Sequence, residues 1–284
     1  MSHLISHPLA SDLTSLSPVF GAPLLLAEGR ERVLVAADIH LGIEHELWLG
    51  GVSIPSQTKK TLKRLLAYVD EIKPDRLLLL GDVKHNVPRT SWQEKREVPD
   101  FLSRLAAQVK VDVVPGNHDS NLADLAPAGV RMRPATGYVL DGVGYFHGHT
   151  WPEEGVLRAG SLVAAHLHPA VRLFDRIGAS PASPVWARAR LRAEAVQEHY
   201  GLPAQQEIIV APAFNPLCGG LPLNEPVEDM RGPLLAMADF EAARLYLLDG
   251  TDLGLLAEIR AAGEGGAKSY YRLRREHPKE GDLD

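Results

Sequence analysis

Short apolar runs alternate with amphipathic stretches along the first half of the chain. VLVAAD at 33 to 38 and RLLLLGD at 76 to 82 are continuous apolar segments of strand length, the pattern of strands covered on both faces. Between them, SQTKKTLKRLLAYVDEI at 56 to 72 sets Leu62, Leu65, Leu66, Val69 and Ile72 at helical spacing, with Ser56 as the expected N-cap. Together the three segments read as a βαβ unit. A second helix is expected from about Pro99, a residue suited to a first helical turn, and carries Phe101, Leu102, Leu105 and Val109 before the strand VDVV at 111 to 114.

The second half is strand-dominated. VGYF at 143 to 146, LVAA at 162 to 165, AVRLF at 170 to 174, EIIVA at 207 to 211 and ARLYLL at 243 to 248 are separated by turn-rich segments. Two sheets packed in layers with helices outside are the expected architecture. Residues 180 to 206, opening SPASPVWARARLRAEAVQEHYG, read as an inserted helical excursion. Trp186, Ala189, Ala193 and Val196 would form its buried face, and Arg188, Arg190 and Arg192 its exposed one. Residues 1 to 262 are then one domain, followed by a glycine-containing, densely charged tail at 263 to 284.

Composition narrows this picture only slightly. With 284 residues, 45% of them hydrophobic, the chain can bury a core without staples. A formal charge of -6 argues against a protein devoted to coating nucleic acid. The single cysteine, Cys218, excludes an internal disulfide and a cysteine-based zinc site, and fits a reducing compartment, so the cytoplasm is the expectation. No stretch approaches the ~18 apolar residues of a membrane span, and the first residues show no leader pattern, so no membrane partner is expected. The sequence names no oligomeric partner.

Several familiar chemistries lack support. GEGGAKS at 263 to 269 has Ala267 where a phosphate loop needs glycine, and no strand precedes it. There is no GxSxG elbow, and no histidine neighbours Cys218 in sequence. KSYYRLRR, with Lys268, Arg272, Arg274 and Arg275 around Tyr270 and Tyr271, suits either phosphate contact with base stacking or a solvated basic tail.

The histidines are the informative signal. Of 12, eight lie between residues 40 and 168: His40, His45, His85, His118, His147, His149, His166 and His168. Five strand candidates end in chelating residues. VLVAADIH supplies Asp38 and His40, LLLLGD supplies Asp82, VDVVPGNHD supplies Asn117 and His118, GYFHGH supplies His147 and His149, and VAAHLH supplies His166 and His168. Carboxyl ends of strands are where α/β sheets assemble sites, so convergence on one crevice is expected. Carboxylate, amide and imidazole donors without thiolate suit manganese, iron or zinc and disfavour calcium or an iron–sulfur cluster. Seven donors are too many for one tetrahedral ion and about right for two ions sharing a carboxylate, a device suited to phosphoester hydrolysis.

As an ordered set, DIH, GD, GNHD and HLH resemble the calcineurin-like metallophosphoesterase superfamily over residues 33 to 169. The resemblance implies a four-layer αββα sandwich of two mixed β-sheets flanked by helices. It also implies two divalent ions, manganese foremost, with iron, zinc, nickel or magnesium as other candidates. Asp38, His40 and His168 would hold one ion, Asn117, His147 and His166 the other, and Asp82 would bridge them. His118 would contact the phosphate and protonate the departing alkoxide. Ala165 replaces the glycine of the family's usual GHxH. The fourth-strand ligand is His147 or His149, with His147 favoured because it directly follows the apolar run and His149 placed on the substrate side.

His85, three residues after Asp82, would reach the phosphate or support a ligand from behind. Glu44 and His45 with Trp48 would line the pocket or form a packed cover, and Asn215 in PAFNPLCGG lies in a loop able to return toward the site. DIHLGIEHELWLGGVSIPSQT, LLLLGDVKHN and APAFNPLCGG are most similar to the prokaryotic branch related to SbcD-type nucleases and ligase-associated phosphodiesterases. That implies hydrolysis of phosphodiester substrates of nucleotide or nucleic-acid type. The alternatives are a phosphomonoesterase and a non-enzymatic scaffold of the same fold.

Overall fold

The computed structural model describes residues 14–173, 181–203, 206–225 and 232–264. The first sheet runs in chain order through β1 (Ser15–Pro18), β2 (Leu24–Glu28), β3 (Arg32–Ala37), β4 (Arg76–Leu80), β5 (Lys110–Val114) and β6 (Val130–Met132). β1 to β3 pair antiparallel and β3 to β6 parallel. Parallel neighbours need crossovers, supplied by α1 (Ile43–Leu49) and α2 (Thr58–Ile72) before β4 and by α3 (Trp92–Ala106) before β5.

The second sheet begins with β7 (Tyr138–Leu140) and β8 (Val143–Tyr145), and α4 (Glu154–Leu157) leads into β9 (Ser161–Ala164), β10 (Pro169–Arg172) and β11 (Ala182–Leu191). After α5 (Ala193–Tyr200) come β12 (Glu207–Val210), β13 (Leu221–Pro222), α6 (Pro233–Met237), β14 (Ala238–Leu247), β15 (Asp252–Leu255) and α7 (Leu256–Glu264). The spatial order is β13-β10-β11-β12-β9-β8-β7, with β14 on the other edge of β11 and β15 beyond it. β8, β9 and β12 are mutually parallel.

Alternation of side chains along each strand divides the interior into three cores. Leu34, Leu77, Leu79, Val111 and Val113 face Leu62, Leu65 and Val69 of α2 and Phe101, Leu102 and Leu105 of α3. Their neighbours Val33, Val35, Leu78, Leu80 and Val114 point the other way, toward Tyr145, Val163 and Trp186 of the second sheet. Leu162, Val185, Ala187, Ile208 and Val210 pack outward on Val196, Leu234, Met237 and Ile259. These layers are the αββα sandwich that the sequence implies.

Three local expectations need correction. Residues 182 to 191 are a central strand, not part of a helical excursion. From Ala187 to Leu191 burial alternates strictly, with Arg188 and Arg190 outside, and this period of two outweighs the helical reading. Only α5 within that segment is helical. The third helix begins at Trp92, not near Pro99, which lies inside it. Ser91 and Glu94 form a reciprocal capping box that sets the start. α2 has Gln57 at its N-cap, while Ser56 Oγ accepts from Thr58 N one position off. α7 runs to Glu264, the last described residue. The basic segment at 268 to 275 lies outside the described residues, as do Phe174, Ser180, Ala204 and Gln205.

Candidate metal centre

The carboxyl ends of β3, β4, β5, β8 and β9 meet across the two sheets. Beyond β3, Asp38 N donates to Gly81 O at 3.2 Å and His40 N to Asp82 O at 2.7 Å, so the loops after β3 and β4 stay paired. Phe214 N, after β12, donates to Ala37 O at 2.8 Å and ties the second sheet to the first. His118 N donates to Asp82 Oδ1 at 2.8 Å, and His166 N to Asp38 Oδ2 at 3.3 Å.

All seven expected ligands come together. His40 Nε2 lies 3.4 Å from His168 Nε2 and 3.6 Å from Asp82 Oδ2. Asp38 Oδ1 lies 3.3 Å from His168 Nε2. On the other side, His147 Nε2 lies 3.3 Å from Asp82 Oδ2 and 3.3 Å from Asn117 Oδ1, and the His166 ring sits 4.9 Å from that of His147. Donor atoms of Asp38, His40 and Asp82 form one compact group and those of Asp82, His147 and His166 a second, with Asp82 in both.

The donor set fits divalent ions. Bonds of about 2.0–2.2 Å at angles of roughly 90–110° bring ligand atoms to about 3.0–3.5 Å of one another, the spacing found here. Asp38 Oδ1 is buried and has no hydrogen bond, a costly state for a carboxylate unless a cation faces it. Backbone geometry agrees. Asp38, His40, Asp82, His166 and His168 all have positive φ, between 45° and 73°, a conformation seldom adopted outside glycine and concentrated at functional sites. Two glycines make room. A Cβ on Gly81 would lie 1.9 Å from His147 Nδ1, and one on Gly116 2.2 Å from Asp82 Oδ1.

Charge is divided unevenly. Burial holds the His40 imidazole down, at about 3, and lowers His166 and His149 to about 4. For His147 burial also disfavours the charged form, but the carboxylates of Asp82 and Asp38 outweigh it and raise the ring to about 9. Burial would push the Asp82 carboxyl up, yet His147, His40 and the His118 amide hold it well below the usual range.

His118 lies beside this group without entering the donor pairs around Asp82. Its Nδ1 meets the His85 carbonyl, and its ring stacks at 5.1 Å on that of His85 and stands edge-on at 4.9 Å to that of His40. His85 is buried, with Nδ1 3.0 Å from His40 Nδ1 and Nε2 on the Glu46 carboxylate. His149 lies at the rim of the second group, its ring 5.2 Å from that of His147, and its Nδ1 is buried without a partner. β8 ends at Tyr145 and Gly148 has φ 115°, so His147 and His149 do not share an extended strand face. Ala165 is accommodated in the core between the sheets.

Trp48 is 60% exposed and does not pack as a cover, while Ile43 and Glu44 at the start of α1 are buried. Glu44 faces inward, its Oε1 accepting from Gln57 N at 2.6 Å, and His45 Nδ1 lies 3.2 Å from Asn86 Oδ1. Asn215 does return, but to the rear of the DIH loop, donating from Nδ2 to Ile39 O at 2.9 Å.

Three contributors escape sequence reasoning. Lys84 is fully buried and donates from Nζ to His118 O at 2.5 Å and Asn86 O at 2.6 Å, joining the loops that carry His118 and His85. Asp119 accepts from Gly116 N at 2.9 Å and Lys84 N at 3.1 Å, and burial, reinforced by the Asp82 charge, raises it to about 7. Asp119 is the last letter of GNHD and was visible there; Lys84, an isolated lysine after a strand, gave no signal. Cys218, without a histidine near it in sequence, lies in space beside His40 and His168, and burial pushes its thiol up.

Among the described residues no helix is long and apolar enough to cross a membrane. Among solved structures the chain is similar to nuclease MPE of Pseudomonas putida, at 21% identity over 83% of this chain and 98% of that one, with a TM-score of 0.48. It is also similar to YfcE, a phosphoesterase from E. coli, at 18% identity over 78% and 96% of the two chains, with a TM-score of 0.36. The profile of the calcineurin-like phosphoesterases matches residues 31–182, the span that supplies every donor of the two groups sharing Asp82. The chain belongs to the calcineurin-like phosphoesterase family and is a hydrolase of phosphoester bonds.

Proposed function

We propose that the protein is a dinuclear metal-dependent phosphodiesterase acting on substrates of nucleotide or nucleic-acid type. The observation that carries this reading is the shared carboxylate: Asp82 belongs to both donor groups. Asp38, His40, Asp82 and His168 would hold the first ion, and Asp82, Asn117, His147 and His166 the second. Two bound divalent ions supply charge neutralisation at the phosphoryl oxygens and an activated water. Manganese is the expected metal, since oxygen and imidazole donors predominate.

The remaining work falls to the chain. His118 Nδ1–H donates to the His85 carbonyl, which leaves Nε2 of the protonated ring to deliver its proton to the departing oxygen as the phosphorus–oxygen bond breaks. Lys84 Nζ, bonded to the His118 and Asn86 carbonyls, ties the loop that carries His118 to the one that carries His85. Both nitrogens of His85 are engaged within the protein, which favours support of His40 over contact with phosphate. His149 is assigned to the substrate side of the second ion.

Preference for a diester is supported by the loop sequences and by the rim. Trp48 and Leu49 on α1, with Val87 and Trp92 following His85 in sequence, are exposed, and exposed aromatic surface suits stacked bases. The test is a panel of bis-p-nitrophenyl phosphate, p-nitrophenyl phosphate, cyclic nucleotides and single- and double-stranded DNA with manganese, magnesium, zinc and nickel. Faster turnover of the diester is expected. Preference for the monoester would favour a phosphatase, and no hydrolysis with any metal would favour a scaffold.

A further inference from the structure

Cys218 is the single cysteine of the chain, and the fold clamps it between the loops that carry His40 and His168. Asn215 Nδ2 donates to Ile39 O at 2.9 Å, and Leu221 N donates to His168 O at 2.9 Å. The 3-10 turn Pro216–Cys218 is closed by Leu217 N donating to Asn215 Oδ1 at 3.0 Å and Cys218 N to Asn215 O at 3.2 Å. Held there, Cys218 Sγ and one ring nitrogen each of His40 and His168 all lie within 4.8 Å of one another. The hydrogen bond from Sγ to Asp38 O is long, at 3.9 Å. Next to one of these rings, Asp38 Oδ1, on a residue with 0% exposure, has no hydrogen bond and lies 3.3 Å from His168 Nε2.

We propose that Cys218, as the thiolate, is a ligand of the first metal position beside Asp38, His40 and His168, and that it biases this position toward zinc or cobalt over manganese or magnesium. The proposal rests on the dinuclear reading above and refines it, and it replaces the expectation that a single cysteine excludes zinc binding through sulfur. Thiolate and imidazole donors select borderline and soft ions, whereas carboxylate and water suit manganese and magnesium. The second position has no sulfur donor in its set, so the manganese expectation applies there. As the sulfur–metal bond forms, the thiol proton leaves to solvent, and metal uptake at this position releases one proton more than it would without the cysteine.

The test is cobalt titration of the metal-stripped full chain, followed by absorbance. A sulfur-to-cobalt charge-transfer band in the near ultraviolet is expected alongside the visible cobalt bands. With one cysteine in the chain, a thiolate band has one source. Cys218→Ser should lose it and keep the visible bands, and in zinc–manganese competition should retain less zinc. Cys218→Ala, checked by circular dichroism, separates loss of the ligand from loss of the fold. Visible bands without the near-ultraviolet band in the unsubstituted protein would overturn the proposal and leave the dinuclear reading standing. Failure to take up cobalt, zinc or manganese would overturn both.

Discussion

His85 Nδ1 lies 3.0 Å from His40 Nδ1, and the opposite nitrogen of His85 meets the Glu46 carboxylate. One tautomer satisfies the whole chain of contacts. If His40 Nε2 offers its lone pair toward Asp82 and His168, His40 Nδ1 carries the hydrogen and donates it to His85 Nδ1, and His85 Nε2–H donates to Glu46. Such outer partners fix the ring and raise its basicity, and losing one typically costs about 10–100-fold in metal affinity. His85→Ala is therefore expected to weaken binding at the first position by that factor, read by calorimetric titration, while binding at the second position changes little. Glu46→Gln should have the smaller effect, since Glu46 is largely solvent-facing.

His118→Ala is expected to leave the content of both ions intact and to reduce turnover by about 10²–10⁴-fold on substrates with poor leaving groups. A p-nitrophenolate departs without a proton, so the deficit should shrink on activated esters. A series of aryl and alkyl diesters reads this directly. An equal deficit across the series would assign His118 to positioning rather than to proton transfer.

The polar residues that gather at the candidate site stand out in the sequence because each follows a run that both layers bury. Val33, Val35, Leu78 and Val113 had to be apolar throughout, so the polar residues that ended those runs stood out. β11 was hidden for the opposite reason. Arg188, Ala189 and Arg190 alternate in size and charge, and alanine carries too weak a hydrophobic signal to separate a period of two from one of 3.6. α3 starts about two turns before Pro99 because the Ser91–Glu94 capping box sets its start, while Pro99 lies inside the helix. The approach of Asn215 and Cys218 to the DIH loop spans more than 170 residues and depends on a turn whose path no local pattern specifies. The positive φ of five donors was likewise unreadable, since none of them is glycine.

Gly116→Ala tests how tightly GNHD is built around Asp82. The added Cβ would lie 2.2 Å from Asp82 Oδ1 and 2.6 Å from Asp82 N, and since one of these is backbone, rotation of the side chain cannot relieve both. Overpacking of this kind costs typically about 1–3 kcal/mol. Beyond a lower melting temperature without metal, the variant should lose most of the rise in melting temperature that added divalent ion gives, a rise worth about 2.7 kcal/mol at a hundredfold excess over Kd. Chelation of the unsubstituted protein should lower its melting temperature by the same linkage. An undiminished metal-dependent rise in the variant would show that Asp82 tolerates displacement.

Glu94 links the pH dependence of stability to the loop that carries His85. Its Oε1 accepts from His85 N at 2.9 Å and Asn86 N at 2.7 Å, and Oε2 accepts from Ser91 N at 2.6 Å. Burial alone would push this carboxyl up, but hydrogen bonds from Asn86 and Ser91 prevail and hold it below its ordinary value. A carboxyl depressed in the folded state adds stability that is fully present above its unfolded value of about 4.3 and is lost as pH falls through the folded value. Glu94→Gln keeps the shape and one acceptor oxygen but removes the charge. It should be less stable than the unsubstituted protein at pH 7, with the gap closing progressively below about pH 4. Denaturant titrations across that range measure the gap, and amide exchange at His85 and Asn86 should accelerate at neutral pH. A gap independent of pH would mean that the charge on Glu94 plays no part in holding the loop.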